Sequence, residues 1–252
     1  MTLVVALRCA DGLVVASDSQ STAQTGSQPT KGDIHKLFIL GSQFAWGGSG
    51  PIGSIQRVRA ELEGCTAEIV RDFKHFEPGM KTLHKHIHKI QDEVERETLG
   101  DLQAKAAQRS AYLVAFFTED GPHILEFETA GSRTLHDTDG FSAIGSGDIF
   151  AMHSFRSLRH HQLVTLSQPQ AQALAWRTVD DAIATAAWGL GGPVSIAVVD
   201  SKVARMLEPQ EVEAVRDTVG LWRQQEVEIL GALGRLSGLP AETVVPEPPT
   251  EA

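Results

Sequence analysis

Thr2, Asp18 and Lys36 are of the types that could together make a nucleophile carrying its own base. A small residue after Met1 lets the methionine be removed, which leaves Thr2 with both a hydroxyl and a free α-amine. An α-amine has a pKa of about 7.7–8.0, so near neutrality it can take the proton of the hydroxyl beside it. A lysine next to that amine favours the amine's neutral, basic form, and an aspartate holds the lysine in place. A Met-Thr start is commonplace, and only the surrounding pattern gives it weight.

The elements that must position these residues are legible nearby. Residues 2–8 and 12–18 are dense in Val, Leu and Ala, with the hairpin signal Asp11-Gly12 between them. Thr2 begins the first predicted strand and Asp18 ends the second, so the hairpin returns Asp18 to the level of Thr2. Residues 19–35 are polar, with Gly26, Pro29 and Gly32, and read as an exposed loop. Lys36 then opens a second strand pair, His35 to Leu40 and Gln43 to Trp46, which makes an antiparallel sheet the simplest reading.

Further along, apolar residues at helical steps predict one helix through Ile55 to Phe73, ended by Glu77-Pro78-Gly79, and a second from Met80 to about Glu97. Strands are expected at Ala111 to Thr118, His123 to Glu128, Phe141 to Ile144 and Val194 to Val199. Helices are expected from Ser146 and from Ser167, whose hydroxyl suits an N-cap. The alternation of strands, two helices, strands, two helices and a strand predicts an α+β chain with helices over both faces of stacked sheets. Residues 2–200 form one domain in this reading. Residues 201–240 are a strand and helix extension with Val212, Val215, Val219, Trp222, Ile229 and Leu233 at helical steps. The Pro-rich acidic end, 241–252, is expected to be disordered.

Composition narrows the function. With 252 residues, the chain can bury roughly 70–75% of its unfolded surface without a disulfide or metal staple. A net charge of −10, from 22 basic against 32 acidic residues, excludes the basic footprint of a nucleic-acid or anionic-membrane partner. Cys9 and Cys65 lie far apart, in no metal spacing, and read as free thiols of a reducing compartment. Arg8 and Asp11 interrupt the opening apolar run, and Gly189 to Pro193 break the longest uncharged one. A cytoplasmic protein without signal peptide or membrane span is therefore expected.

Three stretches carry a resemblance: Thr2 to Arg8, Asp11 to Thr22, and Lys31-Gly-Asp-Ile-His-Lys36-Leu. They resemble the proteasome β-subunit superfamily, and the loop wording is similar to the bacterial ATP-dependent two-ring peptidases of the HslUV type. Ile144-Gly145-Ser146-Gly147 followed by Phe150-Ala151 looks like the family's second motif. The resemblance runs through residues 2–200 and implies a four-layer αββα N-terminal-nucleophile hydrolase. It makes Thr2 the nucleophile, Asp18 and Lys36 its charged supports, and Ser146 the hydroxyl near the threonine amine. Ser21 and Thr22 fall in the substrate-binding segment. Gly50 fits the oxyanion glycine, with Gly47 and Gly48 close by. A threonine-type endopeptidase of peptides or unfolded proteins is implied, self-assembled into six- or seven-fold rings and served by an ATPase or other activator. No metal or organic cofactor is implied. One departure stands out: the family's aspartate before Ser-Gly-Gly aligns with Ala187, and Leu190 precedes Gly191-Gly192.

Other readings compete. An amidase or transpeptidase of narrow range would use the same nucleophile, and a non-catalytic ring scaffold would not need it. Gly48-Ser-Gly50-Pro-Ile-Gly53 matches a dinucleotide-binding pattern, but antiparallel strands precede it. His84 and His88, four apart on one helix, suggest a metal, but Lys81, Lys85 and Lys89 beside them favour a solvated basic face. Asp180 and Asp181 are expected to point apart, with no acid–base role.

Overall fold

A computed structural model describes residues 2–25, 28–97, 110–129, 132–158, 163–186 and 189–236, with the side chains of 22–31, 164 and 234–236 outside that description. The first sheet is antiparallel and built on β1 (Val4–Cys9) and β2 (Gly12–Ser17), whose register runs from Val4 opposite Ser17 to Cys9 opposite Gly12. β10 (Phe141–Ile144) adds to β1, and β11 (Ser195–Val199) adds to β2, with β12 (Ala204–Met206) at the edge beyond. The second sheet runs β5 (Leu37–Leu40), β6 (Phe44–Ser49), β7 (Ala111–Thr118), β8 (Gly121–Phe127) and β9 (Arg133–Leu135), also antiparallel.

β1 and β2 read as near-continuous apolar runs because both of their faces are buried. Leu3, Val5, Leu7, Val14 and Ala16 enter a cluster with Phe155, Leu174, Val179 and Val219. The alternate residues Val4, Ala6, Leu13 and Val15 enter another with Ala45, Leu113, Ala115 and Ile124 of the second sheet. A third cluster joins the second sheet's other face, with Phe44, Trp46 and Phe116, to the helices α1 (Ile52–Gly64), α2 (Thr66–Asp72) and α3 (Phe76–Glu97). The small residues Ala45 and Ala115 face the other sheet, whereas the bulky aromatics fill the space under the helices. Phe73 meets Phe44 and Phe116 edge-on at 4.6 and 4.8 Å there, a favoured aromatic geometry.

The first sheet's outer face is covered by α4 (Asp148–Ser157), α5 (Gln168–Thr185) and α6 (Pro209–Leu236). At the start of α5 the Ser167 N–H donates to Gln170 Oε1 at 2.9 Å, and Pro169 sits in the first turn, where no donor is needed. α6 is lashed to α5 by charge. Arg177 donates to both Glu226 oxygens at 2.6 and 2.8 Å and lies 4.2 Å over the Trp222 ring. Arg223 donates to Asp180 at 2.8 Å and to Asp181. The two aspartates, expected to point apart, converge on one guanidinium and have a structural part.

Several expectations need correction. The stretch 19–35 is a hairpin, β3 (Gln20–Thr25) with β4 (Gln28–Asp33), not an exposed loop. Its polar sequence carries no apolar alternation, so period 2 is invisible there. The helix expected through Ile55 to Phe73 breaks at Cys65, where Thr66 Oγ1 bonds the carbonyls of Leu62 and Glu63 at 3.1 and 2.9 Å. Glu77-Pro78-Gly79 belongs to the first turn of α3 rather than to a terminator, a position where proline is tolerated. α4 begins at Asp148, two residues after Ser146, and β9 had no sequence signal. The tail 241–252 and Ala187 lie outside the described residues. Among those described, both cysteines are free and no helix is long and apolar enough to cross a membrane.

Candidate active site

The β1–β2 register does the first part of the assembly. With Val4 opposite Ser17, the next residues out are Leu3 and Asp18, and they bond each other twice. The Asp18 N–H donates to Leu3 O at 3.2 Å, and the Leu3 N–H donates to Asp18 Oδ1 at 2.9 Å. Lys36, just ahead of β5, comes from the other sheet, and its Nζ donates to the same Oδ1 at 2.7 Å. The Gly191 N–H reaches Asp18 Oδ2 at 3.4 Å from the turn before β11. The Asp18 carboxylate thus receives three donors, from Leu3, Lys36 and Gly191, in a site closed to water.

That closure sets the electrostatics. Asp18 is 0% and Lys36 2% exposed, and a buried ion pair holds only when its remaining hydrogen-bonding capacity is met. Burial pushes the Lys36 ammonium below its usual range, while the charge and hydrogen bond of Asp18 pull the other way. A lysine in that state is a cation whose proton is easier to release than a surface lysine's.

Thr2 is held from the far side by the segment after β10. The Thr2 N–H donates to Ser146 Oγ at 3.2 Å, and the Gly147 N–H donates to Thr2 O at 3.2 Å. This close approach depends on Gly145, at φ +103°, where a Cβ would stand 2.2 Å from Thr2 O. Gly50, at φ +136°, ends the turn from β6 into α1. Since α1 begins at Ile52, the partial positive charge of its N-terminus lies at the same edge as Gly50.

These residues line one cleft of about 270 Å3. Thr2, Lys36, Ser146, Ser21 and Gly50 all border it, so most of the residues singled out from the sequence are brought together. Gly48 borders it too; Gly47 is not among the lining residues. Ile34 is among the lining residues, whereas Phe38 packs on Trp46 at 4.7 Å in the third cluster. The Thr22 backbone pairs with Lys31 in β3, and its side chain lies outside the described residues. Sequence reading missed Gln20, Ser49, Ile52 and Ile55 in the walls. It also missed Gly191 as a donor to Asp18, although Gly189 to Pro193 stood out as a break in an uncharged run. Leu190, at the departure noted in the sequence, is buried with Leu3 and Val194.

The competing motifs resolve differently. Gly48 and Gly50 serve the cleft at the end of an antiparallel strand, so the dinucleotide reading lacks its parallel βαβ unit. The His84 and His88 rings lie 4.0 Å apart at a tilt of 52°, and burial with the neighbouring His88 lowers the His84 pKa. Among the described residues, the one metal-like grouping is Glu61, Cys65 and His86. There Lys89 Nζ donates to both Glu61 oxygens at 3.0 and 2.8 Å, and His86 Nδ1 meets Glu61 at 2.8 Å, which closes the group as an ion-pair network.

The chain is 28% identical over 229 residues to a proteasome subunit beta of Gordonia bronchialis, covering 84% of this chain and 73% of that one. It is 29% identical over 241 residues to that of Stackebrandtia nassauensis, covering 86% and 77%. A Mycobacterium relative of the same name is 27% identical over 165 residues, and the match spans about half of its length, 51%. The family model described as proteasome subunit matches residues 2–199, which hold β1 to β11, five of the six helices among the described residues, and every residue lining the cleft. The chain belongs to the proteasome subunit family.

Proposed function

We propose that this chain is a threonine-type endopeptidase of a self-compartmentalised ring, with Thr2 as the N-terminal nucleophile after loss of Met1. The observation that carries the reading is that Thr2, Lys36 and Ser146 border one cleft, with Ser146 Oγ accepting from the Thr2 N–H and Asp18 holding both Lys36 and the adjoining Leu3 N–H. Family membership supports a proteasome-type threonine peptidase in general. The four-layer αββα architecture of such hydrolases is supported by the three clusters, one between the sheets and one under each set of helices.

The chemistry follows from the residues. Thr2 Oγ attacks a peptide carbonyl while the Thr2 α-amine accepts the hydroxyl proton. The buried Lys36 ammonium, held by Asp18, raises the cost of a second positive charge and keeps that amine neutral at working pH. Ser146 Oγ orients the amine. The Gly50 N–H, at the positive end of α1, stabilises the oxyanion of the tetrahedral intermediate. The protonated amine then gives its proton to the leaving amine, and water hydrolyses the ester left on Thr2. Ser21 and Thr22 lie on β3, which pairs only with β4 among the described residues, so an extended substrate can add to its other edge. Six- or seven-fold rings, an ATPase or other activator, and a cytoplasmic setting complete the reading.

An intact mass after incubation with a peptide epoxyketone tests it, because that reagent needs both the hydroxyl and the free amine of an N-terminal threonine. One adduct on a chain lacking Met1, abolished in Thr2→Ala, is the expected outcome. A processed chain without adduct would sink the peptidase reading.

A further inference from the structure

α6 runs on past the body it packs against. Its apolar face repeats every three or four residues through Val212, Val215, Val219, Trp222, Ile229 and Leu233. Val215 and Val219 on that face are buried, at 8% and 0% exposure. Farther along it, Ile229, Leu230 and Leu233 stand 59%, 67% and 53% exposed. Every residue from Val227 to Gly231 is exposed. The overhang lies beyond residue 199, where the family match ends. Beside the buried half of the same face is an apolar groove of about 790 Å3, with Leu158, Leu163, Leu166, Pro169 and Ala173 across from Trp222.

We propose that the overhang of α6 is a self-association device: the Ile229–Leu233 ridge of one copy lies in the groove beside Trp222 of a second copy, which returns the same contact. Ridge and groove sit end to end on one face of one helix. An antiparallel pairing about a two-fold axis near Gln225 therefore sets Ile229 against Trp222 of the second copy and Leu233 against its Thr218. Such an isologous contact needs only one self-complementary patch. Glu226, close to the axis, is neutralised by Arg177 in its own chain, so the pairing brings no bare like charges together. Ridge and groove walls together offer on the order of 500 Å2 per copy, about 1,000 Å2 in all, the lower limit for a specific interface. The competing occupant is the chain's own end, residues 237–252.

The inference rests on the self-assembly part of the function proposed above and not on the chemistry at Thr2. Two experiments on the full chain test it. In sedimentation velocity, Ile229→Asp/Leu233→Asp is expected to halve the particle mass while circular dichroism and epoxyketone labelling of Thr2 stay as in the wild type. In a Cys65→Ser background, Thr218→Cys/Leu233→Cys is expected to form a disulfide between chains under mild oxidation, and either cysteine alone is not. An assembled wild type whose mass the aspartates leave unchanged overturns the contact but not the ring. Halved mass without the cross-link overturns the two-fold pairing. A wild type that sediments as single copies overturns self-assembly and this contact together, with the Thr2 labelling still free to succeed. If instead a chain ending at Leu236 associates where the full chain does not, the groove holds the chain's own end and the proposal falls.

Discussion

Lys36 Nζ and Asp18 Oδ1 meet at 2.7 Å with 2% and 0% of their side chains exposed, and they come from different sheets. The pair therefore reports on the docking of the two sheets as well as on the chemistry beside Thr2. Removing one partner strands the other charge in a dry site. Lys36→Met is expected to cost about 3–5 kcal/mol in urea unfolding, whereas Asp18→Asn/Lys36→Met recovers most of that loss. Neither variant should hydrolyse peptides. Equal stability of the single and double variants would refute the buried-pair account.

The same pair gives a pH signature. Burial holds the Lys36 pKa in the folded chain below its usual value, so the unfolded chain keeps that proton to higher pH. Between the folded value and about 10.4 the unfolded state binds more protons, and stability from this group rises with pH. Unfolding free energies of the wild type, taken relative to Asp18→Asn/Lys36→Met, should climb across the alkaline range up to about pH 10.4. A flat or falling difference is the contrary result.

Around Thr2, backbone space and hydroxyl chemistry can be separated. Gly145→Ala places a Cβ against Thr2 O at a φ that L residues avoid, and should lose about 2 kcal/mol or more together with activity. Ser146→Ala removes only the acceptor for the Thr2 nitrogen. It should leave the unfolding midpoint in place and lower kcat/KM by about 100-fold, the scale of a misplaced reacting group. Matching effects of the two changes on stability would contradict this division.

On the helical side, Arg177 ties α5 to α6 through two bonds to Glu226 and its stack on Trp222. Those bonds also hold the Glu226 carboxyl below its usual range. Arg177→Ala should cost about 1–3 kcal/mol, read by thermal unfolding, and should loosen α6 in hydrogen exchange. Unchanged exchange along α6 would show that apolar packing alone holds it.

Alkylation distinguishes the thiols. Burial pushes Cys9 up to about 12, and Cys65 is raised by burial and by the nearby Glu61 and Glu68. In native protein, iodoacetamide should modify the partly exposed Cys65 slowly and leave Cys9 untouched until the chain unfolds, as peptide mass mapping would record.

Much of the frame was legible in the residues themselves. The β1–β2 hairpin announced itself by Asp11-Gly12 between two apolar runs, and its return alone puts Asp18 near Thr2. Ser167 marked the start of α5, and the α+β alternation followed from the order of periods. The polar β3–β4 hairpin was not legible, because strands without an apolar face carry no period to read. Nor was the break at Cys65, where a threonine hydroxyl diverts carbonyls that would otherwise continue a helix.

What the sequence determined by itself is the set of groups and their local carriers: a threonine at a strand start, an aspartate one hairpin away, and an apolar stripe on the last helix. The tertiary structure decided their meeting. Ser146 reaches Thr2 across 144 residues of chain and Gly191 reaches Asp18 across 173, contacts that exist only because the strands between them pair in one register. It also decided how far the α6 stripe is covered, since periodicity shows which face of a helix is apolar but not where the body beneath it ends. Local spacing is set by backbone geometry within a few residues, whereas burial and long-range pairing are set by what the whole chain packs against.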